Sequence, residues 1–112
     1  MKKLEIIIRP DKLEDIKETL NDLQIYGMTV TMATGCGQQR GIKKVYRGNE
    51  YRINLLPKIK VETVVKDAIV EELVRAVTEK IRTGEVGDGK IFVYNVEQVY
   101  KIRTGESGED AI

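Results

Sequence analysis

The sequence predicts an α+β fold, a ferredoxin-like split βαβ sandwich in βαββαβ order with a short final strand. Two observations carry that prediction. Two segments repeat apolar residues at helical spacing, while others alternate or run dense in β-branched residues. These segments follow one another as strand, helix, strand, strand, helix, strand, which a split βαβ sandwich accommodates with both helices on one sheet face.

The first element, KLEIIIR (3–9), reads as a mostly buried strand. The period then changes. In RPDKLEDIKETLNDL (9–23), Leu13, Ile16, Leu20 and Leu23 share one helical face, and Asp11 with Glu14 three places on reads as a capping box. Gly27 marks the turn expected to close this helix. MTVTMAT (28–34) alternates as a strand does, and the glycines of GCGQQRG (35–41) break it. A further strand resumes near Glu50 and is clearest in KIKVETVV (58–65), where Ile59, Val61, Thr63 and Val65 share a face. The second helix is expected over 67–81, with Ile69, Val70, Leu73, Val74, Val77 and Ile81 forming a broad stripe suited to a sheet. KIFVYNV (90–96) is a dense β-former run, and VYKIR (99–103) reads as the short final strand.

A chain of 112 residues is expected to form one domain, small enough to gain from covering its open sheet face in an oligomer. The formal net charge of +1 argues against a bulk nucleic-acid or membrane binder. No apolar run is long enough to span a membrane, and the basic start meets Arg9 too soon for a signal peptide. One cysteine suits a reducing compartment, so a cytoplasmic location is expected. The absence of histidine removes the commonest general base near neutral pH and, with one cysteine, argues against a structural zinc site.

Charge is uneven along the chain. Residues 41–60 hold Lys43, Lys44, Arg47, Arg52, Lys58 and Lys60 against the single acid Glu50. The stretch 35–57 is too long for an ordinary connection, and it suits either an extended hairpin or an arm that docks on a partner. Three polar clusters accompany it. Gly84, Gly87 and Gly89, followed by Lys90, suit an anion nest or a plain glycine turn; they match neither a Walker A loop nor a dinucleotide fingerprint. Lys101 and Arg103, two apart on the expected final strand, would share a face and bracket a polyphosphate, or else line a solvated edge. GCGQQRG with Lys58 and Glu62 offers amide and charged groups to a nucleotide and a small carboxylate.

The segments YRGNEY (46–51) and TGEVGDGKIFV (83–93) resemble the two characteristic segments of the PII nitrogen-regulatory signalling proteins. MTVT with GCGQQRG, LLPKIKVE (55–62) and the ending KIRTGESGEDAI (101–112) agree with that family, so the likeness spans nearly the whole chain. Departures occur at Asn49, at Gln38 and Lys101 where many relatives have arginine, and at Cys36, which replaces a common aromatic and reads as a small, partly buried packing residue.

The resemblance implies a homotrimer with nucleotide sites between neighbouring subunits, a partner-binding arm over 37–55 and a phosphate loop over 82–90. By position, Gly87, Asp88, Gly89 and Lys90 would wrap the phosphates, and Lys101 and Arg103 would be donated by the neighbour. Thr29, Gly35, Cys36, Gly37, Gln38, Gln39, Glu62 and Val64 would hold adenine, ribose and the near phosphates. Gln39 would link magnesium to 2-oxoglutarate, Lys58 would pair with a 2-oxoglutarate carboxylate, and Tyr51 matches a tyrosine nucleotidylated in some relatives. The implied function is a non-catalytic regulator reading ATP or ADP, Mg2+ and 2-oxoglutarate, with any ATPase slow and incidental. Implied partners are ammonium channels, which would recruit it to a membrane, nitrogen-metabolism enzymes, nitrogenase and signalling proteins. The competing readings are a trimeric interaction protein with a degenerate ligand site, a phosphoryl-transfer enzyme and an RNA-binding module. The RNA reading lacks paired aromatic recognition strands, and the enzyme reading lacks a nucleophile–base arrangement.

Overall fold

Strand β1 (Lys2–Ile8) fully buries Leu4, Ile6 and Ile8 on one face, while Lys3, Glu5 and Ile7 alternate to the other. The computed structural model describes the backbone of residues 1–37, 42–46, 48–53 and 55–112, and the side chains of 1–37, 48 and 55–112. Within it β1 lies between β5 (Leu56–Val65) and β6 (Lys90–Asn95), and β2 (Thr29–Gly35) pairs with the other side of β5. Every pairing in this four-stranded sheet is antiparallel, with strand order β2-β5-β1-β6. That is the expected split βαβ sandwich.

Helices α1 (Leu13–Asp22) and α2 (Val70–Ile81) cover one face. Ile16 and Leu20 from α1 and Leu73, Val77 and Ile81 from α2 meet Leu4, Ile6, Ile8, Ile59, Val61 and Val65 in a single core. Each such side chain contributes about 1.5–3 kcal/mol when fully removed from water. The helix-free face is mixed. Lys3 pairs with Glu62 at 3.3 Å and lies over the Tyr94 ring at 4.9 Å, and Phe92 and Tyr94 remain exposed.

Strands β3 (Ile42–Tyr46) and β4 (Asn49–Ile53) form a separate two-stranded antiparallel sheet inside the 37–55 segment, with Tyr46 opposite Asn49 and Lys44 opposite Tyr51. Gly48 between them takes the left-handed φ of 78° that such a tight connection requires.

Four local expectations change. The capping box does not form: Pro10, with its preset φ, opens a 3-10 turn over Pro10–Lys12, and the N-cap of α1 is Lys12 without a side-chain cap bond. Gln24, not Gly27, ends α1, taking φ 60° while Ile25 N–H donates back to Leu20 O at 2.8 Å. The first turn of the expected 67–81 helix is a 3-10 turn at Asp67–Ile69. The short final strand is reduced to one bridge between Tyr100 and Ser107, because the intervening residues fold into a turn in which Gly105 N–H donates to Lys101 O at 2.8 Å. Lys101 and Arg103 therefore do not share a strand face.

Candidate functional site

Three glycines let the chain between α2 and β6 fold tightly. Gly84, Gly87 and Gly89 have φ of 86°, 103° and 100°, all in the left-handed region. Gly89 has a second constraint, since a Cβ there would stand 1.7 Å from Ile7 O. Asp88 ties the loop together. Its carboxylate accepts the Thr83 and Gly84 N–H groups, each at 2.9 Å, together with the Thr83 hydroxyl and Arg9 Nε. The Thr83 hydroxyl first, then the Thr83 N–H, hold its carboxyl down at about 2. Asp88 thus serves the loop's own shape.

Two cations reach the loop from different parts of the chain. Arg9, immediately after β1, donates through Nη2 to Val86 O at 2.6 Å, and Lys58 of β5 donates through Nζ to Gly87 O at 3.0 Å. Burial, and then the neighbouring Arg9 charge, lower the Lys58 ammonium from its ordinary value, with Asp88 acting in the opposite direction. A Cβ on Gly35 would lie 3.7 Å from Lys58 Cγ, so the end of β2 passes close over this side chain.

The sheet register extends the site away from the loop. Thr29 stands opposite Glu62, Ala33 opposite Lys58 and Gly35 opposite Leu56. Period two then puts Thr29, Gly35, Lys58, Glu62 and Val64 on the helix-free face. From Lys58 to Val64 the row is about 20 Å long. Its far end opens into a cleft of about 950 Å³ whose lining includes Thr29, Glu62, Val64, Tyr26, Val99 and Ile112. Glu62 there is balanced by Lys3 at 3.3 Å and Lys60 at 3.7 Å.

These elements are those of a known family. The family model described as "Nitrogen regulatory protein P-II" matches residues 1–106. A protein of that name from Pasteurella multocida is 54% identical over 112 residues, covering all of both chains. One from Rhodospirillum rubrum is 51% identical with the same coverage, and a "Nitrogen regulatory protein P-II 2" from Methanothermobacter thermautotrophicus is 50% identical over all of this chain and 97% of its own. The chain belongs to the P-II nitrogen regulatory protein family.

This P-II chain brings only part of its expected site together. Gly87, Asp88, Gly89 and Lys58 converge at one end of β1, and Lys90, exposed, begins β6 directly beyond them. Lys101 and Arg103 follow a segment that leaves the opposite end of β1, where Val96 N–H donates to Met1 O. The length of β1 between those ends is about 20 Å. Lys101 is paired with Glu106 at 3.7 Å, and Arg103 is exposed in the turn. Cys36 is exposed rather than partly buried, because β2 has ended and Gly35 and Gly37 flank it. Gln38 and Gln39 lie outside the described residues, as does the Tyr51 side chain. Among the described residues no group of three or more Cys, Asp or Glu is placed to hold a metal ion, and no helix is long and apolar enough to cross a membrane.

Two residues that fasten this glycine loop escaped the sequence reading, Arg9 and Thr83. Arg9 looked like the polar end of a strand; its one signal was a position just before Pro10. Thr83 carried a better one, standing before a glycine and five residues ahead of an aspartate.

Proposed function

We propose that the protein is a non-catalytic nitrogen-regulatory transducer that reads ATP or ADP together with 2-oxoglutarate and signals through the 37–55 arm. The observation that carries this reading is the meeting of Lys58 with the glycine loop at Gly87, close to where β2 runs into the arm. A carboxylate ligand bound at Lys58 would compete with the Gly87 carbonyl for the ammonium, so its binding would be felt by the loop and by the chain beside Gly35.

In this reading adenosine lies along Thr29, Glu62 and Val64, and the phosphates reach Gly87, Gly89 and Lys90. Lys101 and Arg103 come from a neighbouring subunit of a trimer in this reading, which is supported by the preceding chain leaving the other end of β1, where Val96 N–H donates to Met1 O. Magnesium suits this donor set only through the nucleotide. Asp88 is engaged by Thr83, Gly84 and Arg9; the phosphates, with Gln39 as the family resemblance implies, would hold the ion. ATP and ADP differ in the phosphate that would help to organise the 2-oxoglutarate site. Ligands that favour different arm states would shift the arm's population and with it partner affinity.

Calorimetry with ATP, ADP and 2-oxoglutarate tests the reading. Binding of 2-oxoglutarate should depend on Mg-ATP. Lys58→Met should retain nucleotide and lose 2-oxoglutarate by roughly 2–5 kcal/mol, the range for removing one partner of a buried charge pair. Equal loss of both ligands by a folded variant would reject this division of roles.

A further inference from the structure

Two successive carbonyls of the loop are held by separate segments, Val86 O by Arg9 just after β1 and Gly87 O by Lys58 of β5. A peptide unit is planar and trans, so its C=O and N–H point in opposite directions. Holding the Val86 carbonyl therefore turns the Gly87 N–H away from Arg9. Holding the Gly87 carbonyl turns the Asp88 N–H away from Lys58. Gly87 at φ 103° supplies the left-handed step that lets successive amides form an anion-binding concavity.

We infer that Arg9 is a positioning residue for this concavity, acting on a bound phosphate through the loop backbone rather than by touching it. Its geometry suits the task. Nη2 holds Val86 O at 2.6 Å while Nε faces Asp88 Oδ1 at 3.5 Å, so one guanidinium joins the loop's tip to the carboxylate that closes its base. Asp88 passes that hold to the Thr83 and Gly84 amides. A lysine at this position would supply the charge without the planar fork. The inference rests on the nucleotide reading for the identity of the anion; the loop geometry rests on the contacts alone.

The test compares full-length wild type with Arg9→Gln and Arg9→Lys. ATP and AMP are titrated calorimetrically, and the Gly87 and Asp88 amide resonances are followed in ligand-free protein. Arg9→Gln should weaken ATP by about tenfold to a hundredfold, as expected for losing hydrogen bonds from a charged group. AMP should change much less, and both amide resonances should move before any ligand is added. Arg9→Lys should not restore ATP affinity or the resonances. Full rescue by lysine would make Arg9 a simple charge, and equal loss of ATP and AMP would make it a general fold residue; either overturns the inference. Unmoved Gly87 and Asp88 resonances in Arg9→Gln would do the same. If wild type binds neither nucleotide, the nucleotide reading fails, and the ligand-free resonances still decide whether Arg9 sets the loop.

Discussion

The pentapeptide IRTGE occurs at 81–85 and again at 102–106, and its Thr-Gly-Glu part makes the same local contact in both copies. In each, the threonine Oγ1 accepts the glutamate N–H two residues on, at 3.1 Å for Thr83 and Glu85 and 3.2 Å for Thr104 and Glu106. In each, the glycine is left-handed, with φ of 86° at Gly84 and 75° at Gly105. Their surroundings differ completely. The first copy begins at Ile81, buried at the end of α2, and its threonine is tied to Asp88. The second begins at Ile102, fully exposed, and is closed by Lys101, whose N–H donates to Glu106 O at 2.8 Å. Five residues can specify a turn. What the turn is fastened to comes from residues elsewhere in the chain.

The largest contrast should come from the glycines. Gly89→Ala, in the loop that the first copy opens, places a Cβ 1.7 Å from Ile7 O at a φ of 100°. A loss of about 4 kcal/mol or more is expected, in the range reserved for backbone clash and strain. Gly105→Ala in the second turn meets open space and suffers only its φ of 75°, for about 1–2 kcal/mol. Chemical denaturation of the two variants should separate them clearly, and similar losses would show that the first loop is free to move off β1.

The two isoleucines give a smaller contrast with a second use. Ile81→Ala removes a core side chain that is 8% exposed and should lose about 2–4 kcal/mol. Ile102→Ala should cost less than about 0.5 kcal/mol in a single chain, as for a surface position. Sedimentation alongside thermal melts sharpens the point. A large effect at Ile102 that accompanies a change in association would show that another chain covers it.

Acid should separate the turns most gently. The Asp88 carboxyl is depressed to about 2 in the folded chain, against an ordinary aspartate value of about 3.9. Its stabilising contribution is therefore complete above the ordinary value and fades as pH falls through the folded one. Thr83 and Gly84 amide resonances should titrate with a midpoint near 2, and Asp88→Asn should abolish that titration without altering the Glu106 amide. A wild-type midpoint near 4 would mean that the donors do not hold the carboxylate.

Much of the fold was legible because burial repeats with the period of each element. Leu4, Ile6 and Ile8 announced β1, and Leu73, Val77 and Ile81 announced α2. The helix ends were less legible. Pro10 and Gln24 set them through local backbone geometry, which outweighed the capping pattern at Asp11 and Glu14. The glycine loop was recognisable from Gly84, Gly87 and Gly89, whose shared freedom of φ is a property of the residue type.

The sequence by itself determined the alternation of strands and helices and the face each one buries, because these depend on residues a few positions apart. Tertiary structure alone decided that Arg9 and Lys58, 49 positions apart, hold adjacent carbonyls of one loop. It also decided that Lys101 and Arg103 follow from the far end of β1. Antiparallel pairing of β1 with β5 and β6 brings distant residues into register at one end of the sheet and carries the chain after β6 to the other. Such proximity is set by strand order and direction, and neither is written in the spacing of any local motif.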